Sequence, residues 1–112
     1  MRAVVTSSKS WTDEESVLSA VCELPAGSTI LLPSKLGACK IVKDNWEQLK
    51  MELEDWSVDE HDYDQSGGQV NADMLDTEVD MVIAFLTPDS HSSRDCVKRA
   101  RQLDLETKTV GK

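Results

Sequence analysis

Met1-Arg2-Ala3-Val4-Val5-Thr6-Ser7-Ser8-Lys9-Ser10-Trp11-Thr12-Asp13 opens the chain, and its reading decides the fold. A short apolar, β-branched run gives way to small hydroxyl residues and one lysine. Thr12-Asp13-Glu14-Glu15 then has the pattern of a capping box, with Glu15 at the third helical position. The stretch is therefore predicted to form a strand, a polar loop and a helix. In an open parallel sheet this junction lies at the carboxyl edge, where backbone N–H groups and the positive end of the following helix favour an anion. Any ligand site is expected to begin here.

Downstream, Val17, Leu18, Val21 and Leu24 recur at helical spacing, and Leu24-Pro25-Ala26-Gly27 ends a helix predicted from about Asp13 to about Glu23. Thr29 to Leu32 is a continuous apolar run of the kind covered on both faces of a sheet. After the polar loop Pro33 to Gly37, Ala38, Val42, Trp46, Leu49 and Leu53 share one stripe. They predict a long helix ending near Met51 or Glu52, with Trp46 in the core. A third strand is expected within Leu53 to Asp59, in a region so acidic that it suits an exposed edge. His61 to Gly68 is turn-rich, and Val70, Met74 and Leu75 suggest a short helix reaching about Glu78. Asp80 to Leu86 is the clearest strand. The polar loop Leu86 to Ser93 follows, and Cys96, Val97, Ala100 and Leu103 form the stripe of a last helix. Glu106 to Val110 is read as a terminal edge strand. Alternating strands and helices imply parallel pairing in a doubly wound α/β sandwich, with the first and fourth strands adjacent. Its three polar loops would gather at one edge.

The 112 residues suffice for one domain, 1–112, with a single core. A net charge of −9 argues against nucleic acid, which needs a surplus of Lys and Arg on one face. No apolar run is long enough for a signal peptide or a bilayer span, and Cys22, Cys39 and Cys96 are scattered and odd in number. A cytoplasmic protein without a disulfide framework, membrane contact or bound cofactor is expected.

The opening stretch also resembles the start of the YspA-like branch of the SLOG superfamily, whose members begin with a strand, Thr-Gly-Ser-Arg, a spacer and an aromatic residue. Leu32 to Cys39 stands where that family carries a Gly-Gly-Ala-Arg-Gly-Ala-Asp loop, Val70-Asn71 to Met74 where it carries Arg-Asn and a Met, and Val79 to Leu86 where it carries an Ala-Asp-hydrophobic strand. The resemblance implies a Rossmann-like three-layer sandwich with a parallel five-stranded sheet of order 3-2-1-4-5, and a site for nucleotides or their derivatives. Some relatives hydrolyse a phosphoribosyl bond with an Arg and a Glu in a Gly-rich motif. Here Ser7 replaces the first-loop Gly, Lys9 the Arg, Pro33 and Ser34 the Gly pair, Leu36 the second-loop Arg, Cys39 the Asp and Val70 the Arg before Asn71. Glycine lets a backbone approach a phosphate and Arg grips one with a bidentate fork, so these changes predict a degenerate, non-catalytic site.

The candidate ligand-binding residues are Ser7, Ser8, Lys9, Trp11, Ser34, Lys35, Gly37, Asn71, Ser92 and Ser93. Each also has a plainer reading: Gly37 as a packing glycine, Asn71 as the holder of a loop carbonyl, Trp11 as a staple between loop and helix. Cys39 and Cys96 stand near helix starts but without a neighbouring base, and read as core thiols. His61 among Asp59, Glu60, Asp62 and Asp64 lacks calcium-loop spacing and reads as a solvated acidic loop, and no metal site is expected. His91 reads as a loop residue. Two functions are expected: a non-catalytic sensor or sequestering protein for a nucleotide-derived small molecule, or an acidic module that meets a protein partner through residues 52–64 and Trp56. The small, acidic and degenerate chain suits a viral or mobile-element protein, and homo-oligomers remain open.

Overall fold

Strand β1 (Arg2–Ser7) lies in the middle of a parallel five-stranded sheet. The computed structural model describes residues 1–56, 70–88 and 90–111. Along the chain β1 is followed by α1 (Glu14–Cys22), β2 (Thr29–Leu32), α2 (Ala38–Asp44), α3 (Trp46–Leu49) and β3 (Glu52–Asp55). Residues 70–75 are helical and form α4. Strand β4 (Met81–Leu86), α5 (His91–Gln102) and β5 (Glu106–Gly111) complete the chain. The strand order β3-β2-β1-β4-β5 and the parallel pairing agree with the expectation, and β1 and β4 are neighbours in a register that sets Val4 beside Val82 and Val5 beside Ile83.

The two-residue period of a strand explains why β1 and β4 read as unbroken apolar runs, because both faces of these strands are buried. Ala3, Val5, Ile30, Leu32, Met81, Ile83 and Phe85 face one layer, where Val17 and Val21 of α1 and Ala38, Cys39 and Val42 of α2 cover them. Val4, Leu31 and Val82 face the other, against Met74 and Leu75 of α4 and Cys96 and Ala100 of α5. A half-polar strand in the middle of this sheet would leave polar side chains under one helical layer.

Several elements depart from expectation. The long second helix is two helices. Asn45 (φ −116°, ψ 12°) separates them, and its side-chain amide donates to the Ile41 carbonyl at 2.8 Å, occupying an acceptor that a continued helix would have used. The break resets the helical phase, so Trp46 is turned to solvent at 49% exposure, while Leu49 still packs on the core. Lys50, in the left-handed region at φ 53°, ends α3. Strand β3 therefore begins at Glu52, one residue before the predicted window, and ends at Asp55. Helix α4 stops at residue 75 rather than near Glu78, and Thr77 folds back to donate its hydroxyl to the Met74 carbonyl. Leu103 is the C-cap of α5 and 55% exposed, outside the stripe assigned to it. Helix α1 is capped by Asp13, which accepts from the Ser16 N–H, and not by Thr12. The acidic loop around His61 lies outside the described residues. No helix among the described residues is long and apolar enough to cross a membrane.

Candidate functional site

The carboxyl ends of β1 and β4 form the switch point of the sheet: the chain leaves β1 towards α1 on one face and β4 towards α5 on the other. Ligands in open α/β sheets bind outside such a point. Three loops meet there, and their hydroxyls are organised by contacts that sequence spacing does not reveal.

The first loop is short because Ser8 continues the ladder, its N–H donating to the Phe85 carbonyl at 3.0 Å. Lys9 and Ser10 at its turn are exposed, as is Thr12 before α1. Ser8 and Ser10 share a hydroxyl hydrogen bond of 2.9 Å, and Ser10 N–H also donates to Ser8 Oγ, so the turn is held by its own side chains. Trp11 is buried at 3% exposure, its ring 5.4 Å from that of Phe85 and tilted by 57°, while its indole N–H donates to the Asp13 carbonyl. This geometry serves the staple reading, with the ring taken up by the core.

Ser7 joins the first loop to the second. Its hydroxyl accepts from the Ala38 N–H at 2.8 Å, capping α2 from another element, and donates to the Ser8 carbonyl at 2.9 Å. Gly37 makes this approach possible. At φ 59° it occupies backbone space that L side chains rarely adopt, and a Cβ there would collide with the Ser8 carbonyl and the Ser7 hydroxyl. Ser34 accepts from the Leu36 N–H, and Ser34 and Lys35 line a small cleft with Leu53 and Asp55 at the β2–β3 side.

Around the third loop, Thr6 and Ser93, both buried, share a 2.8 Å hydroxyl hydrogen bond that fastens α5 to β1. Ser90 precedes α5 but turns its hydroxyl back to accept from the Thr87 N–H, and no side chain among the described residues caps α5. Asn71 is completely buried. Its amide nitrogen donates to the Ser92 carbonyl at 2.8 Å and to the Asp95 carboxylate at 3.1 Å, while its Oδ1 has no partner among the described residues. Two acceptors on one side fix which end of the amide is which. Burial works against the Asp95 charge, but hydrogen bonds from Arg99 and Asn71 and the nearby Arg99 and Lys98 cations overcome it and hold the carboxyl below its usual range.

Thus Ser7, Ser8 and Gly37 form one knot, and Asn71, Ser92 and Ser93 a second at the start of α5, with Thr6 linking the two through β1. Sequence reasoning passed over Thr6 and Asp95. A threonine ending an apolar run and an acid four residues before Arg99 were the available signals. Cys39 and Cys96 are buried, and burial pushes both thiols up to about 12, so neither is a nucleophile at neutral pH. Among the described residues no group of three or more His, Cys, Asp or Glu side chains is placed to hold a metal. No family model, curated protein or solved structure matches this chain.

Proposed function

We propose that this protein is a non-catalytic binder of a nucleotide-derived small molecule, a sensor or sequestering protein of SLOG-like type, using the loops at the carboxyl ends of β1 and β4. The observation that carries this reading is Asn71, whose amide nitrogen holds the Ser92 carbonyl in the first turn of α5 and whose buried Oδ1 has no partner among the described residues. A buried acceptor without a donor costs about 1–3 kcal/mol, and a ligand hydroxyl or amino group removes that cost on binding. The first turn of α5, which has no side-chain cap among the described residues and no acidic residue of its own, suits the anionic part of the same ligand. A nucleoside phosphate supplies both groups. Leu36 and Val70, where hydrolytic relatives carry Arg, offer no charged donor to orient a phosphate for bond cleavage.

A second reading, loss of the ligand site and use of the acidic region 52–64 for a protein partner, draws on the internal engagement of Ser7, Ser8 and Ser93. Trp56, half-buried against the second core and bonded to Glu54, belongs to the described part of that region; residues 57–64 do not. Thermal shift and calorimetry against mono-, di- and cyclic nucleotides and NAD-derived compounds separate the two. Saturation at about a hundred times the dissociation constant adds about 2.7 kcal/mol of stability. A flat response across the panel, with host-protein capture that depends on Trp56 or its acidic neighbours, decides for the second reading.

A further inference from the structure

Helix α5 runs against the charge of the molecule. In a chain of net charge −9 it carries Arg94, Lys98, Arg99 and Arg101 with Asp95 as its one acid. Asp95 is taken by Arg99 at 2.8 Å and by Asn71. Arg94, Lys98 and Arg101 have no ion-pair partner among the described carboxylates. With Leu86, Val97, Gln102 and Thr109 they line a groove of about 630 Å³ between α5 and β5. The Arg94 guanidinium is already held in place by donation to the Thr87 carbonyl at 3.0 Å. Beside this groove runs β5, which pairs with β4 and is the last strand of the sheet; no strand among the described residues pairs with its outer side, so the outward backbone groups of Glu106–Gly111 form an edge.

We propose that the β5 edge and the cationic groove beside it form a docking site for an acidic segment of a partner protein, added in extended form as a sixth strand with alternate carboxylates over Arg94, Lys98 and Arg101. The spacing fits. At 1.5 Å per residue these three cations extend over about 10 Å of α5, and side chains on one face of a strand recur every 6.7 Å or so, which places two successive carboxylates within the row. Leu86 and Val97 give the groove an apolar floor that receives glutamate methylenes and strengthens the ion pairs by lowering the local dielectric. Backbone bonding to the edge then supplies affinity and the alternate carboxylates supply specificity. Pairing of β5 with the β5 of another copy is disfavoured, because it brings two like-charged rows together.

The test uses the full chain and a fluorescein-labelled octapeptide of alternating Glu and Val, with a peptide of the same composition in two blocks as control. Fluorescence anisotropy is expected to show the alternating peptide binding at least tenfold tighter than the block peptide, and more weakly as salt rises. Lys98→Gln/Arg101→Gln, at exposed positions, should weaken it at least tenfold while cooperative thermal unfolding is retained. Arg94→Ala should act in the same direction, and supplies the readout if the double variant fails to fold. Hydrogen exchange should slow at β5 amides in the complex. Equal affinity for both peptides, displacement by tripolyphosphate without β5 protection, or no binding by either peptide would overturn the proposal. Salt-sensitive self-association that excludes the peptide would assign the groove to a second copy and overturn it equally.

Discussion

Arg2 donates to both carboxylate oxygens of Glu54, at 2.7 and 3.4 Å, and so ties the central strand β1 to β3, a strand with which it does not pair. The same guanidinium reaches the Glu78 carbonyl and the Thr77 hydroxyl, while the Arg2 backbone N–H donates to Asp80. One side chain thus fastens the acidic edge strand and the approach to β4 at the amino end of the sheet.

Replacing Arg2 by Met should cost about 1–2 kcal/mol, a figure kept low because both partners are partly exposed. A double-mutant cycle with Glu54→Gln measures the pair itself. The Arg2 hydrogen bond, opposed by burial and aided by Trp56, lowers the Glu54 pKa. The pair's contribution is therefore complete above the unfolded carboxyl range, near pH 4–5, and is lost as pH falls through the lower folded value. Denaturation at pH 7 and pH 3 should show the coupling shrink in acid; an unchanged coupling contradicts this account.

Gly37→Ala should destabilise by about 2–5 kcal/mol, since it combines positive-φ strain with a Cβ driven into Ser7 and Ser8. Ser7→Ala should cost only about 1 kcal/mol, the value of one cap. Urea unfolding of both variants gives the ratio, and near-equal losses would show that the loop junction yields more readily than its geometry implies.

Native protein should expose one thiol to a labelling reagent, Cys22, with Cys39 and Cys96 reacting only on unfolding. Burial raises both inner thiols from 9.0 to about 12. The unfolded chain then releases those protons first, so their contribution is whole below about pH 9 and declines between pH 9 and 12, by on the order of 1 kcal/mol per pH unit for each thiol. Cys39→Ala should flatten the alkaline limb of a stability–pH curve. Identical limbs in the two proteins count against it.

Lys9→Ala should cut ligand-induced thermal stabilisation, because Lys9 is the cation of the first loop, and Trp56→Ala should leave it intact. Asn71→Ala removes two hydrogen bonds together with a buried orphan acceptor, so it should lower the stability of the free protein by less than about 2 kcal/mol while abolishing the response to ligand. A full response in Asn71→Ala would remove the observation on which the binding proposal stands.

By itself the sequence determined the strands, the layers and the switch point. Val4-Val5 and Met81 to Leu86 are apolar without interruption because both faces are covered, and Val17, Val21, Val42, Cys96 and Ala100 keep helical spacing because each helix has one face on the sheet. These are local periodicities, dictated by backbone geometry within a few residues. Tertiary structure alone decided the rest. Asn45 broke a helix whose stripe had placed Trp46 in the core, through competition for a single carbonyl. Ser7 found Ala38, Thr6 found Ser93 and Arg2 found Glu54 across 31, 87 and 52 residues. A hydroxyl or guanidinium can pair with many partners at similar energy, so its choice follows from which groups the folded sheet brings within 3 Å or so.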